Sequence, residues 1–267
     1  MKKENEKEDG REEKKKDKKK LHRIFNFLNK EDNRKYNKQL QEKYLYRLLS
    51  CEKSTEDKVI SLCYHATKTQ LQPDINKLAE LYNTLYKKRN ELRTMEGFIK
   101  TFDENANISY ESLFNVIRRK GCFGQSANKT SAIFVKIIYQ LHNLNYCKGK
   151  FKLWNDVPKK IINDKIYLPV DTVIETIFKR IFPNRKLGFK SINDILSEHY
   201  KPEEIEVWDD LWFWGFITQK VENVENKERV FKFNKEKYWN LWEANKEEIK
   251  AIKNLSTKFI KIINDSK

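Results

Sequence analysis

Apolar residues return every three to four positions from Leu21 to Ile263, and no succession of segments shows the two-residue alternation of strands. That interval stacks side chains on one face of an α-helix, so the chain is read as all-α. Ile24, Phe25 and Leu28 open the series, and Tyr44, Leu48 and Leu49 continue it. Ser54, three residues before Asp57, has the spacing of a helix cap ahead of Val59, Ile60 and Cys63. Pro73 breaks the chain, and Asp74 caps a stripe of Ile75, Leu78, Leu81, Tyr82 and Leu85. Further helices are expected from near Ser109, from Ser126 to about Leu144, behind Asp171, behind Ser191 and Asp194, after Pro202, and from Asn234 to Ile263. Residues 145–165 read as a basic loop with one short helix, and Arg229–Phe233 as a short strand at most.

Residues 1–20 are nearly all Lys, Glu, Asp and Arg and have little to bury, so a disordered charged tail is expected there. The folded domain is placed at residues 21–267. The tail holds ten basic and seven acidic residues, so +13 of the +16 net charge lies on the rest. A body this basic fits a polyanionic partner, and nucleic acid is the usual one; a solvated Lys-rich surface is the plainer alternative. No run of apolar residues is long enough for a membrane span, and no apolar leader opens the chain. Cys51, Cys63, Cys122 and Cys147 form no CxxC pair, so neither a metal site nor a disulfide framework is expected. With seven glycines there is no GxGxxG, no phosphate loop and no HExxH, which argues against a dinucleotide enzyme, a phosphate-loop NTPase and a zincin.

Three pieces carry candidate chemistry. Gly121 sits where a helix C-cap belongs and Gly124 follows three residues later, so 109–144 reads as helix, turn, helix. Lys129 opens the second of these helices. The electropositive helix start disfavours an ammonium, and a neutral amine is what a Schiff-base nucleophile must be. An ordinary exposed lysine is the bland reading. Asp171 follows Leu168-Pro169-Val170 and caps a helix; a carboxylate fixed in this way can also stabilise positive charge on a sugar as its base departs. Trp208, Trp212, Phe213, Trp214 and Phe216 form a dense aromatic patch, either core or a platform for an extruded base.

Asn128-Lys129-Thr130-Ser131-Ala132-Ile133-Phe134-Val135-Lys136, then Leu168-Pro169-Val170-Asp171, then Asp209-Asp210-Leu211-Trp212-Phe213-Trp214-Gly215 follow one another in an order that resembles the helix–hairpin–helix DNA glycosylases. The archaeal branch that removes 8-oxoguanine is the closer likeness, over roughly Ser109 to Lys220. The resemblance implies two helical subdomains flanking a cleft, with a helix–hairpin–helix element at about 109–144. It implies Lys129 as nucleophile, with Lys136 as fallback two turns on, and Asp171 as the partner carboxylate. Trp212, Trp208, Trp214 and Asp210 would meet the base, and Lys120, Gly121, Gly124 and Thr130 the DNA. No metal or organic cofactor is implied. The partner would be double-stranded DNA with a flipped-out base, met by a monomer in the cytoplasm on the chromosome, or in the nucleus of a eukaryote. Two other readings stay open: a glycosylase for a different modified base, including one in foreign or phage DNA, and a basic helical protein that binds nucleic acid without cutting it.

Overall fold

The computed structural model describes residues 2–69, 74–119, 127–161, 163–223, 228–234, 237 and 245–266, with side chains from residue 14 onward except those of 223 and 228. Among these residues the chain is mostly helical. In order come α1 (Lys2–Leu28), α2 (Glu31–Leu49), α3 (Thr55–Lys68), α4 (Ile75–Lys87), α5 (Met95–Phe102), α6 (Tyr110–Arg119) and α7 (Ala127–Asn143). Then follow α8 (Thr172–Ile181), α9 (Phe189–His199), α10 (Ile205–Thr218), β1 (Gln219–Asn223), β2 (Glu228–Phe231) and α11 (Lys246–Asp265). Single 3-10 turns lie at Arg89–Arg93, Tyr146–Gly149 and Pro202–Glu204. The strands make one antiparallel hairpin that pairs Gln219 with Phe231 and Val221 with Arg229. No helix among the described residues is long and apolar enough to cross a membrane.

The expected caps form where short-range chemistry dictates them. Ser54 Oγ accepts from Asp57 N at 3.1 Å, and Asp74 Oδ1 from Asn76 N and Lys77 N. The start of α9 is corrected. Gly188, not Ser191, is the cap, and Ser191 Oγ reaches back to accept from Gly188 N at 2.9 Å. Ile75, expected in the apolar stripe of α4, is 77% exposed, and that helix is buried at Leu81 and Leu85.

The charged amino terminus forms the first part of α1, which runs through Leu28. Lys and Glu are strong helix formers, and the helix is tied down from Asp17 onward. Asp17 is buried and accepts an ion pair from Arg185 at 2.8 Å. Lys20 Nζ donates to Ile181 O at 3.2 Å, answering a carbonyl that the end of α8 leaves without a helical partner.

The chain divides into two compact units. The terminal unit comprises Met1–Lys38, Val170–Tyr200 and Val207–Lys267; the central unit comprises Gln39–Pro169 and Lys201–Glu206. In the terminal unit, Ile24 and Leu28 of α1, Ile174 and Phe178 of α8, Trp208 and Trp214 of α10 and Phe259 of α11 are all fully buried. In the central unit, Phe98, Tyr110, Phe134 and Ile138 are buried, and the Phe98 ring stacks on Phe134 at 5.5 Å.

The loop over 145–165 is a clamp within the central unit. Asp156 accepts from Met95 N and Glu96 N, both at 2.9 Å, and so caps α5 from far along the chain. Asp164 does the same for α6, accepting from Tyr110 N at 2.7 Å and Glu111 N at 2.8 Å. His142 Nε2 accepts from Leu153 N at 3.1 Å, which requires that nitrogen to be unprotonated.

Two histidines of this unit make its stability sensitive to acid. Burial, with Lys136 and Lys68 adding to it, lowers His65 from 6.5 to about 4. Burial, with Lys152 adding to it and Asp156 opposing, lowers His142 from 6.5 to about 4. Between these values the unfolded chain binds protons that the folded chain does not. Stability is therefore full above pH 6.5 and falls as the pH drops toward 4. The urea midpoint should decline across that window, each ring adding up to about 1.4 kcal/mol per pH unit. His142→Gln should flatten the decline, because a neutral amide cannot titrate.

Candidate active site

Asp171 is the N-cap of α8. Its Oδ1 accepts from Val173 N at 2.9 Å and from Ile174 N at 3.1 Å. Its Oδ2 accepts from Trp212 Nε1 at 3.1 Å. The carboxylate is thus held on both oxygens and remains half-exposed. It sits at the amino-terminal end of α8.

The Trp212 contact depends on a close approach of two helices. Gly215 lies one turn after Trp212 on α10. A Cβ there would come within 2.6 Å of Val173 Cγ1 and 2.7 Å of Ile177 Cδ1, so only glycine lets α10 pack this closely on α8. Gln219, at the end of α10, locks the same junction: its Nε2 donates to Val173 O at 2.8 Å, and its Oε1 accepts from Arg229 Nη1 at 3.2 Å.

From Leu211 to Gln219, α10 and the first residue of β1 are buried except at Trp212 and Phe216. These two rings stack at 5.1 Å with an interplanar angle of 16°. Lys237 Nζ lies 4.4 Å from the centre of the Phe216 ring. Burial and the nearby Arg229 guanidinium hold this ammonium below the usual lysine range, against the opposing pull of Asp171. A carboxylate, an aromatic shelf and an amine are therefore gathered in the terminal unit. The shelf offers a π-face for a flat ring, and the carboxylate can oppose developing positive charge.

The other aromatic expectations are corrected. Trp208 is fully buried against Phe25, Phe178 and Tyr200. Trp214 is fully buried against Phe27, Tyr36, Phe213 and Phe259. Neither ring has a free face for a base; they are core because they occupy the inward positions of α10. Asp210 is also buried and accepts from Asn37 Nδ2 at 2.6 Å and Arg34 Nε at 3.3 Å, so it anchors α2 to α10.

Lys129 is the third residue of α7, in the central unit, and is half-exposed. Lys136 is half-exposed on the same helix, and its charge acts on His65. Thr130 is fully buried, which withdraws its hydroxyl from any surface that meets a phosphate. The expected hairpin turn, with Lys120, Gly121 and Gly124, lies outside the described residues, as does Cys122. The helices on either side of it, α6 and α7, have nearly the expected bounds.

Lys237, Gln219 and Arg229 are site neighbours that the sequence does not point to, and Phe216 stands out only as one ring of the aromatic patch. The four-residue spacing of Trp212 and Phe216 was a usable signal, because such a pair shares one helix face. Lys237 offers none: it stands far along the chain and outside any motif. Among the described residues, no group of three or more His, Cys, Asp or Glu is arranged to hold a metal ion. No protein-family model, curated protein or solved structure matches the chain.

Proposed function

We propose that this chain is a DNA glycosylase with lyase activity, removing 8-oxoguanine or a related damaged base, with Lys129 as nucleophile and Asp171 as its partner carboxylate. The observation that carries the proposal is the setting of Asp171: a carboxylate restrained by two backbone N–H groups and the Trp212 indole, beside a half-exposed Trp212–Phe216 stack. A net charge of +16 suits a polyanionic substrate. The proposal includes the helix–hairpin–helix over about 109–144.

The nucleotide is extruded from the duplex and its base meets the outward face of Trp212. The Lys129 amine attacks C1′ of the sugar through its nitrogen lone pair as the C1′–N bond breaks and the electron pair leaves with the base. Asp171 opposes the positive charge that gathers on the sugar. The amine loses its proton, the sugar ring opens and a protonated imine forms. Loss of a C2′ proton then drives β-elimination, which forms the C2′–C3′ double bond, breaks the bond from C3′ to its phosphate oxygen and releases the phosphate, and water hydrolyses the imine to free the lysine. No oxidant or reductant enters.

The test is incubation with a duplex carrying one 8-oxoguanine, with and without borohydride, read on denaturing gels. A nick and a reduced covalent adduct are expected, and Lys129→Gln should abolish both while duplex binding persists. An adduct that survives Lys129→Gln and disappears in Lys136→Gln or Lys237→Gln moves the nucleophile to that residue. Cleavage confined to another modified base changes the substrate and keeps the chemistry. Binding with no nick and no adduct, on damaged or abasic duplex, leaves a nucleic-acid-binding protein and overturns the enzyme.

A further inference from the structure

A groove of about 430 Å³ opens in the terminal unit between the outer face of α8, strand β2 and the end of α11. Thr176, Lys179 and Arg180 line one side, Arg229 and Phe231 the second, and Asn264 the third. Three of these side chains are cationic, and among the described residues their partners are nearly all neutral. Arg180 donates from Nε and Nη2 to Asn264 Oδ1, at 3.3 and 3.0 Å. Arg229 donates from Nη1 to Gln219 Oε1 at 3.2 Å. A side-chain amide steers a guanidinium without cancelling its charge. Among the described residues, Arg180 uses two of its five N–H donors in these bonds and Arg229 one. Lys179 has one carboxylate, Glu175, at 3.5 Å across an exposed helix turn, a pairing worth little in water. Among the described residues the groove therefore gathers three cations beside one carboxylate, and its two guanidiniums are pre-oriented.

We propose that this groove binds a backbone phosphate of a nucleic-acid strand, with Arg180 and Arg229 as forked donors and Lys179 as a third cation. The assignment rests on the nucleic-acid part of the reading above and needs none of its lysine chemistry. Two features favour a strand over a free anion. Phe231 and Val230 give the groove an apolar wall, which a solvated inorganic anion does not use and a sugar does. Arg180 also stands nine residues after Asp171 on the continuous run of α8, roughly 14 Å along the helix axis. That is about four base-pair rises of one strand. Gln219 ties the two places together, since it holds Val173 O behind the Asp171 cap with one end of its amide and Arg229 with the other.

The experiment uses the full chain and a fluorescent duplex containing an uncleavable tetrahydrofuran abasic analogue, with affinity measured by anisotropy over a KCl series. Arg229→Gln and Arg180→Gln should each lower affinity about eightfold at roughly 0.1 M salt and reduce the log–log salt slope by about 0.9. Lys179→Gln, on an exposed side chain, should shift both in the same direction by less, and covers the case in which an arginine variant fails to fold. Unchanged slopes in variants that melt normally would overturn the groove, as would a wild-type chain with no affinity for the duplex. Inorganic phosphate should compete no better than chloride at equal ionic strength; selective displacement would make this a free-phosphate site and overturn the strand assignment. Variants that lose slope while the wild-type chain forms no borohydride adduct uphold the groove and sink the lyase. An adduct with unchanged slopes does the reverse.

Discussion

Replacing Asp171 with Asn should slow base release by about 10²–10³-fold while leaving the thermal unfolding curve nearly in place. The separation is possible because the two roles proposed for Asp171 have different requirements. As an N-cap it needs only an oxygen to accept from Val173 N and Ile174 N, and Asn caps helices about as well as Asp. As a stabiliser of positive charge on a sugar it would need the full anion, which Asn lacks. One complication is Trp212, whose Nε1 bonds to the second oxygen and loses its acceptor in the variant. Trp212→Phe deletes the same hydrogen bond from the other side and keeps the carboxylate. If charge carries the effect, Asp171→Asn is far slower than Trp212→Phe in single-turnover base release. Equal losses would make the hydrogen bond, and hence ring position, the cause. A normal rate in both variants would leave Asp171 as a cap and nothing more.

Trp214→Ala should cost about 3–5 kcal/mol of unfolding free energy, the range for truncating a large buried aromatic. Its ring is fully buried and meets Phe27 at 5.3 Å and Phe213 at 5.1 Å, both edge to face, which adds aromatic pairing to the area buried. The loss should appear as a lower urea midpoint of the intrinsic fluorescence transition. Trp212→Ala, on the outward face of the same helix, should cost far less stability and should weaken action on the base. If Trp214→Ala unfolds like the wild type, the two residues have been assigned to the wrong faces.

This pair of tryptophans shows where sequence reading ends. A helix from Ile205 with a crowded aromatic run is legible, because the period and the composition are local. Which ring turns outward is not legible. Trp208, Trp212 and Trp214 are alike in type, and α10 is apolar nearly all round, so no polar face marks the outside. The choice is made by what packs against the helix: Phe25, Phe178 and Tyr200 close over Trp208, and α1, α2 and α11 over Trp214. Asp210 illustrates the same limit, since its partners Asn37 and Arg34 come from the other end of the sequence.

By itself the sequence determined most of the helices, though not α5 or the amino-terminal half of α1, and three of their starts, because Ser54, Asp74 and Asp171 reach backbone N–H groups only two or three residues away. It also determined the basic charge and the separate candidacies of Lys129 and Asp171. Tertiary structure alone decided which aromatics are core and which form a shelf. It alone brought Lys237 to Phe216 and assigned Asp156 and Asp164 as caps for helices far along the chain. The reason is one of range. A cap or a period is set by neighbours a turn away, whereas burial and charge pairing depend on which distant segments the packed core brings together.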